Sequence, residues 1–302
     1  MADHRSGFIA VVGRPNVGKS TLINALLGQK VAAVSPRPQT TRRRQLGILT
    51  REDAQLVFVD TPGLHVAKHK LGEYLNQEAE EALRSVDVVL WLIDASTGPG
   101  EEDNRIAGLL KDLRHRIPQV MAANKMDLVP GEHRSAALEE YQGFLRKDAR
   151  VVPISALQSE GLDELIALLV SLLPLRPPEF DEEEVTDLYE KEIAADLIRE
   201  AALLKLRDEV PHGIAVRIDQ FAERANGMAY IEATLLVERD SQKGIVIGEG
   251  GRMLKQIGTK ARQEIESMGG RPVYLDLHVK VEKDWRNNEN VLRRLGYKLK
   301  KR

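Results

Sequence analysis

The chain has 302 residues, 42% hydrophobic and 30% charged, with a formal net charge of −2 and no cysteine. At about 100 to 200 residues per domain this length predicts two domains, and the composition indicates neither a disordered nor a membrane class. The missing cysteines exclude disulfides and cysteine metal sites and fit a reducing cytosol, no apolar run approaches the ~18 residues of a membrane span, and residues 1–7 are too polar to begin a signal core.

In chain order, Phe8 to Val12 reads as a strand, followed by Gly13-Arg14-Pro15-Asn16-Val17-Gly18-Lys19-Ser20 and a helix that opens at Lys19. A strand, a glycine-bearing loop and a helix N-terminus in this order make a phosphate-binding loop. Loop N–H groups and the positive helix end surround a polyphosphate, and glycines let the main chain approach it without a Cβ in the way. Lys19 would reach the β- and γ-phosphates and Ser20 would ligate Mg²⁺. Next, Arg44 to Thr50 and Leu56 to Asp60 read as strands, Leu71 to Ser85 as a helix, and Asp87 to Asp94 as a buried strand. Glu101 to Leu113 is helical, Gln119 to Asn124 a strand, Arg134 to Leu145 helical, Val151 to Ile154 a strand, and Leu162 to Leu173 the closing helix. Apolar strands separated by amphipathic helices predict an α/β domain with a mostly parallel sheet covered on both faces. In such a sheet the ligand lies at the carboxyl ends of the strands.

Three more strand ends carry chemistry. Asp60-Thr61-Pro62-Gly63 places an acid where it can hold a Mg²⁺ shell through water and a Gly63 N–H where it can sense a γ-phosphate; the same turn also occurs for structural reasons alone. In Asn124-Lys125-Met126-Asp127 the carboxylate of Asp127 can accept from guanine N1–H and the exocyclic amine, while Asn124 and the stem of Lys125 frame the ring. A plain polar turn is the alternative for this tetrapeptide taken alone. Ser155-Ala156-Leu157 offers a backbone N–H to guanine O6 and means nothing by itself. The four segments in this order, each just after a strand, point together to a guanine-nucleotide site.

Pro174-Leu175-Arg176-Pro177-Pro178 and the acids that follow mark a semi-rigid linker, which divides the chain into a first domain over 1–175, a linker over 176–186 and a second domain over 187–302. In the second, Ile193 to Leu206 and Arg252 to Ser267 read as helices, and Gly213 to Phe221, Tyr230 to Val237 and Val273 to Val281 as strands. Residues 182–238 hold 14 acids and 6 bases, whereas 239–302 hold 8 acids and 16 bases. The basic half is therefore a candidate nucleic-acid face, against the plainer reading of a mixed solvated surface. Gly248-Glu249-Gly250-Gly251 precedes the helix at Arg252. A GxxG loop there can clamp the backbone of about four single-stranded nucleotides, with positive charge from Arg252 and Lys255. A helix-capping turn is the alternative for the loop alone, and the flanking Val246-Ile247 and Leu254-Lys255-Gln256-Ile257-Gly258 favour a KH domain. Glu249 fits poorly, because a carboxylate beside a phosphate is unfavourable.

On these motifs the first domain resembles the translation-factor-like GTPases. That resemblance implies Thr41, in Gln39-Thr40-Thr41-Arg42, as the switch I threonine that completes Mg²⁺ coordination; periodicity does not separate it from Thr40. Leu64 stands where Ras-like members carry a water-positioning glutamine, so slow intrinsic hydrolysis is expected, offset by a partner or by a monovalent cation such as K⁺ near Asn16. The whole chain resembles the Era family of bacterial ribosome-assembly GTPases, a GTPase domain followed by a type II KH domain, also through Leu64-His65, Asp208-Glu209-Val210-Pro211-His212 and Leu295-Gly296-Tyr297. The resemblance implies hydrolysis of GTP to GDP and phosphate with Lys19, Thr41 and Gly63 in catalysis. It implies nucleotide contacts from Gly13, Asn16, Val17, Gly18, Lys19, Ser20, Thr21, Asp60, Thr61, Pro62, Gly63, Asn124, Lys125, Asp127, Ser155, Ala156 and Leu157. Mg²⁺ would be held by Ser20, by Thr41 and, through water, by Asp60. RNA would be held by Gly248, Glu249, Gly250, Gly251, Arg252 and Lys255. The implied partner is 16S rRNA near its 3′ end during maturation of the small (30S) ribosomal subunit, bound by a cytoplasmic monomer. Two places depart from relatives: Asp187-Leu188-Tyr189 replaces an arginine-bearing segment, and the tail Lys298 to Arg302 is more basic than usual. The tail reads as a solvated segment, with extra RNA affinity or contact with an anionic membrane as alternatives. A membrane-surface signalling GTPase is the rival reading, and a passive RNA-binding module conflicts with the complete guanine and Mg²⁺ set.

Overall fold

Six strands, β1 (Arg5–Val12), β2 (Gln45–Thr50), β3 (Ala54–Asp60), β4 (Val88–Asp94), β5 (Gln119–Asn124) and β6 (Arg150–Pro153), form one sheet in the order β2-β3-β1-β4-β5-β6. Only β2, antiparallel to β3, breaks the parallel pattern. This is a computed structural model, and it describes residues 4–35, 37, 40–63, 67–113, 117–144, 149–207 and 210–297. Gln39, Leu64, His65, Leu145, Asp208, Glu209, the side chain of His212 and the tail 298–302, all singled out above, lie outside the described residues.

Successive side chains of a strand point to opposite faces, so a strand buried on both sides reads as continuously apolar. Ile9 and Val11 of β1 pack into one layer with Leu22 of α1 (Lys19–Leu27) and Leu165 and Leu169 of α5 (Leu162–Leu172). Ala10 and Val12 join the opposite layer, with Ala79 of α2 (Lys70–Ala82) and Ile106 and Leu110 of α3 (Glu101–Lys111). Because β1, β3, β4 and β5 are parallel, their carboxyl ends at Val12, Asp60, Asp94 and Asn124 share one edge of the sheet. The predicted elements hold with small shifts at their ends. The largest is α4 (Arg134–Glu139), which stops short of the predicted helix and gives way to a 3-10 turn at Gln142–Phe144, where Tyr141 is buried and donates to the carbonyl of Thr97 at 3.1 Å.

The chain divides into two compact units, one of Met1–Val31, Thr41–Val66 and Leu75–Asp187, the other of Ala32–Thr40, Ala67–Tyr74 and Leu188–Arg302. The proline-rich stretch after α5 is strapped along the first unit. Ser6 N–H donates to Pro174 O, the Gln55 carbonyl oxygen accepts from Glu179 and Phe180 N–H, its amide donates to Phe180 O, and Ile48 N–H donates to Val185 O.

In the second unit β7 (Ala215–Glu223), β8 (Ala229–Val237) and β9 (Val273–Val281) form a sheet in that order, β7-β8 antiparallel and β8-β9 parallel. α6 (Glu190–Lys205) and α8 (Arg252–Gly269) cover one face, burying Leu197, Ile198, Ile257, Ala261 and Ile265 against Ile231, Ala233 and Leu235. Two short helices, α7 (Asp240–Ile247) and α9 (Glu289–Arg294), are additions to the predicted set. Within this unit Val34 N–H donates to the carboxylate of Glu200 at 3.0 Å.

Candidate nucleotide and RNA sites

Four loops meet at the carboxyl edge of the six-stranded sheet. The loop after β1 turns into α1 through Gly18, at φ +100°, where a Cβ would fall 2.5 Å from the amide nitrogen of Asn124. Only glycine satisfies both the positive φ and that closeness. Asn124, at the end of β5, donates to Val17 O at 2.8 Å and accepts from Ala156 N–H at 2.8 Å. One buried amide thus joins the phosphate loop to the loop after β6.

Lys19 is 7% exposed, and its ammonium donates to Gly13 O at 2.9 Å and Arg14 O at 3.0 Å. Burial pulls its pKa down from the usual lysine value to about 8, while Asp60 and then Glu102 pull it back up. Asp60 is fully buried, and burial raises its carboxyl above the ordinary carboxylate value, opposed by Lys19 and by hydrogen bonds from Thr41, Ser20 and Gln45. Ser20 Oγ and Thr41 Oγ1 each donate to Asp60 Oδ2 at 3.1 Å, and the two hydroxyls are 3.0 Å apart. Three oxygens from three segments therefore converge, while Asp60 Oδ1 is buried with no hydrogen-bond partner among the described residues. The 3.0 Å between the Ser20 and Thr41 hydroxyl oxygens fits two adjacent ligands of Mg²⁺, whose octahedral shell at ~2.0–2.1 Å sets neighbouring oxygens about 3 Å apart, with Asp60 accepting from both hydroxyls behind them. Thr61 is drawn inward, donating to Val11 O at 2.8 Å, and the backbone at Pro62 and Gly63 is buried, so close to Pro15 that a Cβ on Gly63 would lie 3.2 Å from it. Asn16 is exposed on the loop with φ 65°, and Thr21 lies partly exposed in the first turn of α1.

At the base-reading end, Asp127 is exposed and its carboxylate accepts from Ser155 Oγ at 2.7 Å. Ser155 Oγ also accepts from Gln158 N–H at 3.1 Å, which holds the 155–157 loop in place, with Leu157 74% exposed above it. Lys125 adopts φ 65°, and its ammonium is tied to Asp94 Oδ2 at 2.6 Å. Asp94, which the sequence motifs do not single out, accepts from Ser96 N–H through its other oxygen at 3.1 Å. Its signal in the sequence is its place, last in an apolar strand that ends on the same sheet edge as Asp60 and Asn124. Gln45, the first residue of antiparallel β2, donates to Asp60 at 3.4 Å and is likewise not singled out by the motifs.

The GxxG loop lies between α7 and α8. Gly248 has φ +69°, and a Cβ there would press within 2.7 Å of Met253, whereas Gly250 and Gly251 face open space, with nothing within 4 Å of a Cβ. The backbone of the last two glycines is therefore open to a close partner. Glu249 is paired with the Arg252 guanidinium, which also donates to Glu249 O at 3.3 Å. Between α8 and β9 a cleft of about 420 Å³ runs from Gly251 past Lys255 and Gly258 to Tyr274.

A family profile described as 50S ribosome-binding GTPase matches residues 8–125, and a KH domain profile matches residues 209–286. The chain is 45% identical over 298 residues to GTPase Era of Ruminiclostridium cellulolyticum, covering 99% of each protein. The chain belongs to the Era family. A crystal structure of Era in complex with MgGDPNP and nucleotides 1506–1542 of 16S ribosomal RNA superposes with a TM-score of 0.92 at 40% identity, over 98% of this chain and all of that one. A tyrosine-to-alanine variant of Aquifex aeolicus Era bound to GDP·AlF4⁻ gives a TM-score of 0.91 at 39% identity with the same coverage. Membership accounts for the two-part plan, a P-loop GTPase domain followed by a KH domain. Among the described residues no helix is long and apolar enough to cross a membrane.

Proposed function

We propose that this Era-family chain is a GTP-hydrolysing switch that binds 16S rRNA near its 3′ end and assists assembly of the small ribosomal subunit. The observation that carries the reading is the convergence of Ser20, Thr41 and Asp60 oxygens to 3.0–3.1 Å from one another, in the same carboxyl-edge site as the buried ammonium of Lys19. The relative solved with MgGDPNP and rRNA, 40% identical over nearly the whole chain, supports both halves of it.

In this reading Lys19 exchanges two carbonyl partners for β- and γ-phosphate oxygens, a gain that a low-dielectric pocket strengthens. The loop N–H groups over Gly13 to Thr21 cradle the phosphates. Ser20 and Thr41 fit as direct Mg²⁺ ligands and Asp60 as one acting through water; bound Mg²⁺ would neutralise charge developing on the β- and γ-phosphates. Gly63 N–H reports the γ-phosphate. Asp127 reads the guanine donors, Ala156 N–H lies on the O6 side, and Asn124 holds the two loops at the spacing that both ends of one nucleotide require. The charge that Arg252 gives Glu249 offsets its misfit beside RNA phosphates.

Thr41 lies in the first unit and the segment before it, Ala32–Thr40, in the second. A γ-phosphate that fixes Thr41 acts on a segment built into the unit that carries the GxxG loop, which supports an RNA affinity that depends on the nucleotide. The chain acts as a cytoplasmic monomer in this account. A second reading, peripheral contact with an anionic membrane, rests on the four bases of residues 298–302. Filter binding to an oligonucleotide matching the 3′ end of 16S rRNA, run beside flotation on anionic vesicles, tests the pair. RNA retention without flotation is expected, and flotation without RNA retention would overturn the proposal.

A further inference from the structure

The cations of α8 fall into two sets. Its bases are Arg252, Lys255, Lys260 and Arg262, and two of them are committed to nearby acids, Arg252 to Glu249 and Lys260 to Glu264. Lys255 and Arg262 are not: among the described residues neither side chain donates a hydrogen bond, and the ion pair from Arg262 Nε to Glu266 Oε1, at 4.0 Å, is too long to be one. These two uncommitted cations are the two of the set that line the α8–β9 cleft. They lie seven positions apart, two helical turns, so they stand on one face of α8 about 10 Å from each other along its axis, with Gly258 between them. Opposite them Val273, Leu275 and Leu277, alternate residues of β9 that share the face packed toward α8, form an apolar wall. Glu266 fixes the end of the cleft remote from Gly251. The same Oε1 that faces Arg262 accepts from Val273 N–H at 3.0 Å, so one carboxylate ties the first residue of β9 to the part of α8 that carries the cation. The Arg262 side chain is 49% exposed there, with its guanidinium donors open to a ligand.

We propose that Arg262 is a phosphate-binding subsite for single-stranded RNA, two turns of α8 beyond Lys255 at the far end of the α8–β9 cleft. This rests on the reading of the cleft as the RNA groove. A guanidinium presents a planar fork that matches two oxygens of one phosphodiester, where Lys255 supplies a point charge. A backbone clamped at the GxxG loop and held again at Lys255 and Arg262 runs the length of the cleft along its cationic wall, with the apolar wall of β9 left to the bases. The Glu266 carboxylate holds the guanidinium beside the cleft before RNA arrives, which lowers the ordering cost of binding. A phosphate contact carries no sequence information, so the subsite adds affinity and register to any sequence.

The test measures the Kd of the full chain, loaded with a non-hydrolysable GTP analogue, for an octanucleotide from the 3′ end of 16S rRNA and for a scrambled octanucleotide, over a range of salt concentrations. Arg262→Gln should weaken both by the same factor, about tenfold at low salt, and make log Kd against log salt shallower by about 0.7, the mark of one lost phosphate contact on a single strand. Arg262→Lys should keep the wild-type slope. Lys260→Gln removes the same charge from the same helix at a position committed to Glu264, and should leave the affinity within about twofold and the slope unchanged. Equal losses from Arg262→Gln and Lys260→Gln would make the effect one of net charge and overturn the subsite, as would an unchanged slope in Arg262→Gln. A wild-type chain that binds neither octanucleotide, or an affinity that survives Gly251→Asp, would remove the reading of the cleft itself, and the subsite falls with it.

Discussion

In the proposed function the nucleotide site and the GxxG loop meet phosphates by opposite strategies. In the first, the polar groups are withdrawn from water: Lys19, Asp60 and Asn124 are 7%, 0% and 3% exposed, and each is tied to others. In the second, Glu249 and Arg252 side chains are 87% and 73% exposed, and Gly250 and Gly251 border open space. A buried site is preorganised and loses much when one member goes, because its partners stay desolvated and unpaired. An exposed loop relies on backbone access and screened charge, so its losses are smaller and depend on salt.

The sharpest way to break this contrast is at Lys19. Lys19→Ala removes two charge-assisted phosphate contacts at ~1.5 kcal/mol each, so GTP affinity should fall about a hundredfold or more, with hydrolysis lost alongside. Calorimetry that returned wild-type affinity and turnover would remove the phosphate site from the account. At the other end of the same site, Asp127→Asn sets an amide donor against guanine's own donors while suiting the carbonyl of xanthine. GTP affinity should fall about a hundredfold and XTP become the preferred nucleotide. An unchanged preference for GTP in competition binding would place guanine recognition elsewhere.

On the exposed side the expected loss is smaller. Gly251→Asp puts a side chain and a negative charge where the backbone meets RNA, and should weaken a 3′-end oligonucleotide at least about tenfold, more steeply at low salt. A salt-independent loss would mean that the loop had been deformed and not its charge altered. The smallest effect concerns Asn16. If a monovalent cation beside it offsets the glutamine missing at Leu64, turnover should be several-fold faster in potassium than in sodium, and Asn16→Ala should erase the difference. Equal rates in both buffers for the wild-type chain would rule the cation out.

The same contrast explains what the sequence made legible. Motif residues on the strand ends, Asp60, Asn124 and Ser155 among them, come together because parallel strands deliver their carboxyl ends to one edge, a consequence of topology readable from strand order. Strands β5 and β9 match their predicted bounds to the residue because alternation or continuous burial marks them from end to end. Helix α7 is not legible in the sequence, since Gly244 interrupts its short pattern. Cross-strand partnerships are likewise invisible. Nothing local announces that Asp94 will hold Lys125, that Gln55 will grip Phe180 and turn a proline-rich linker into a strap, or that Tyr230 and Tyr274, far apart in the chain, will share one stack. Such pairs depend on register, which only the assembled sheet sets.

In the proposed function, nucleotide state at the buried site governs RNA affinity at the exposed one. The direct measurement is the Kd of the full chain for one 16S rRNA 3′-end oligonucleotide, at one salt concentration, loaded with GDP and with a non-hydrolysable GTP analogue. The account predicts tighter binding in the analogue state and, by reciprocity, an equal factor by which RNA tightens the analogue relative to GDP. Equal RNA affinity in the two states would contradict it, leaving two independent activities on one chain.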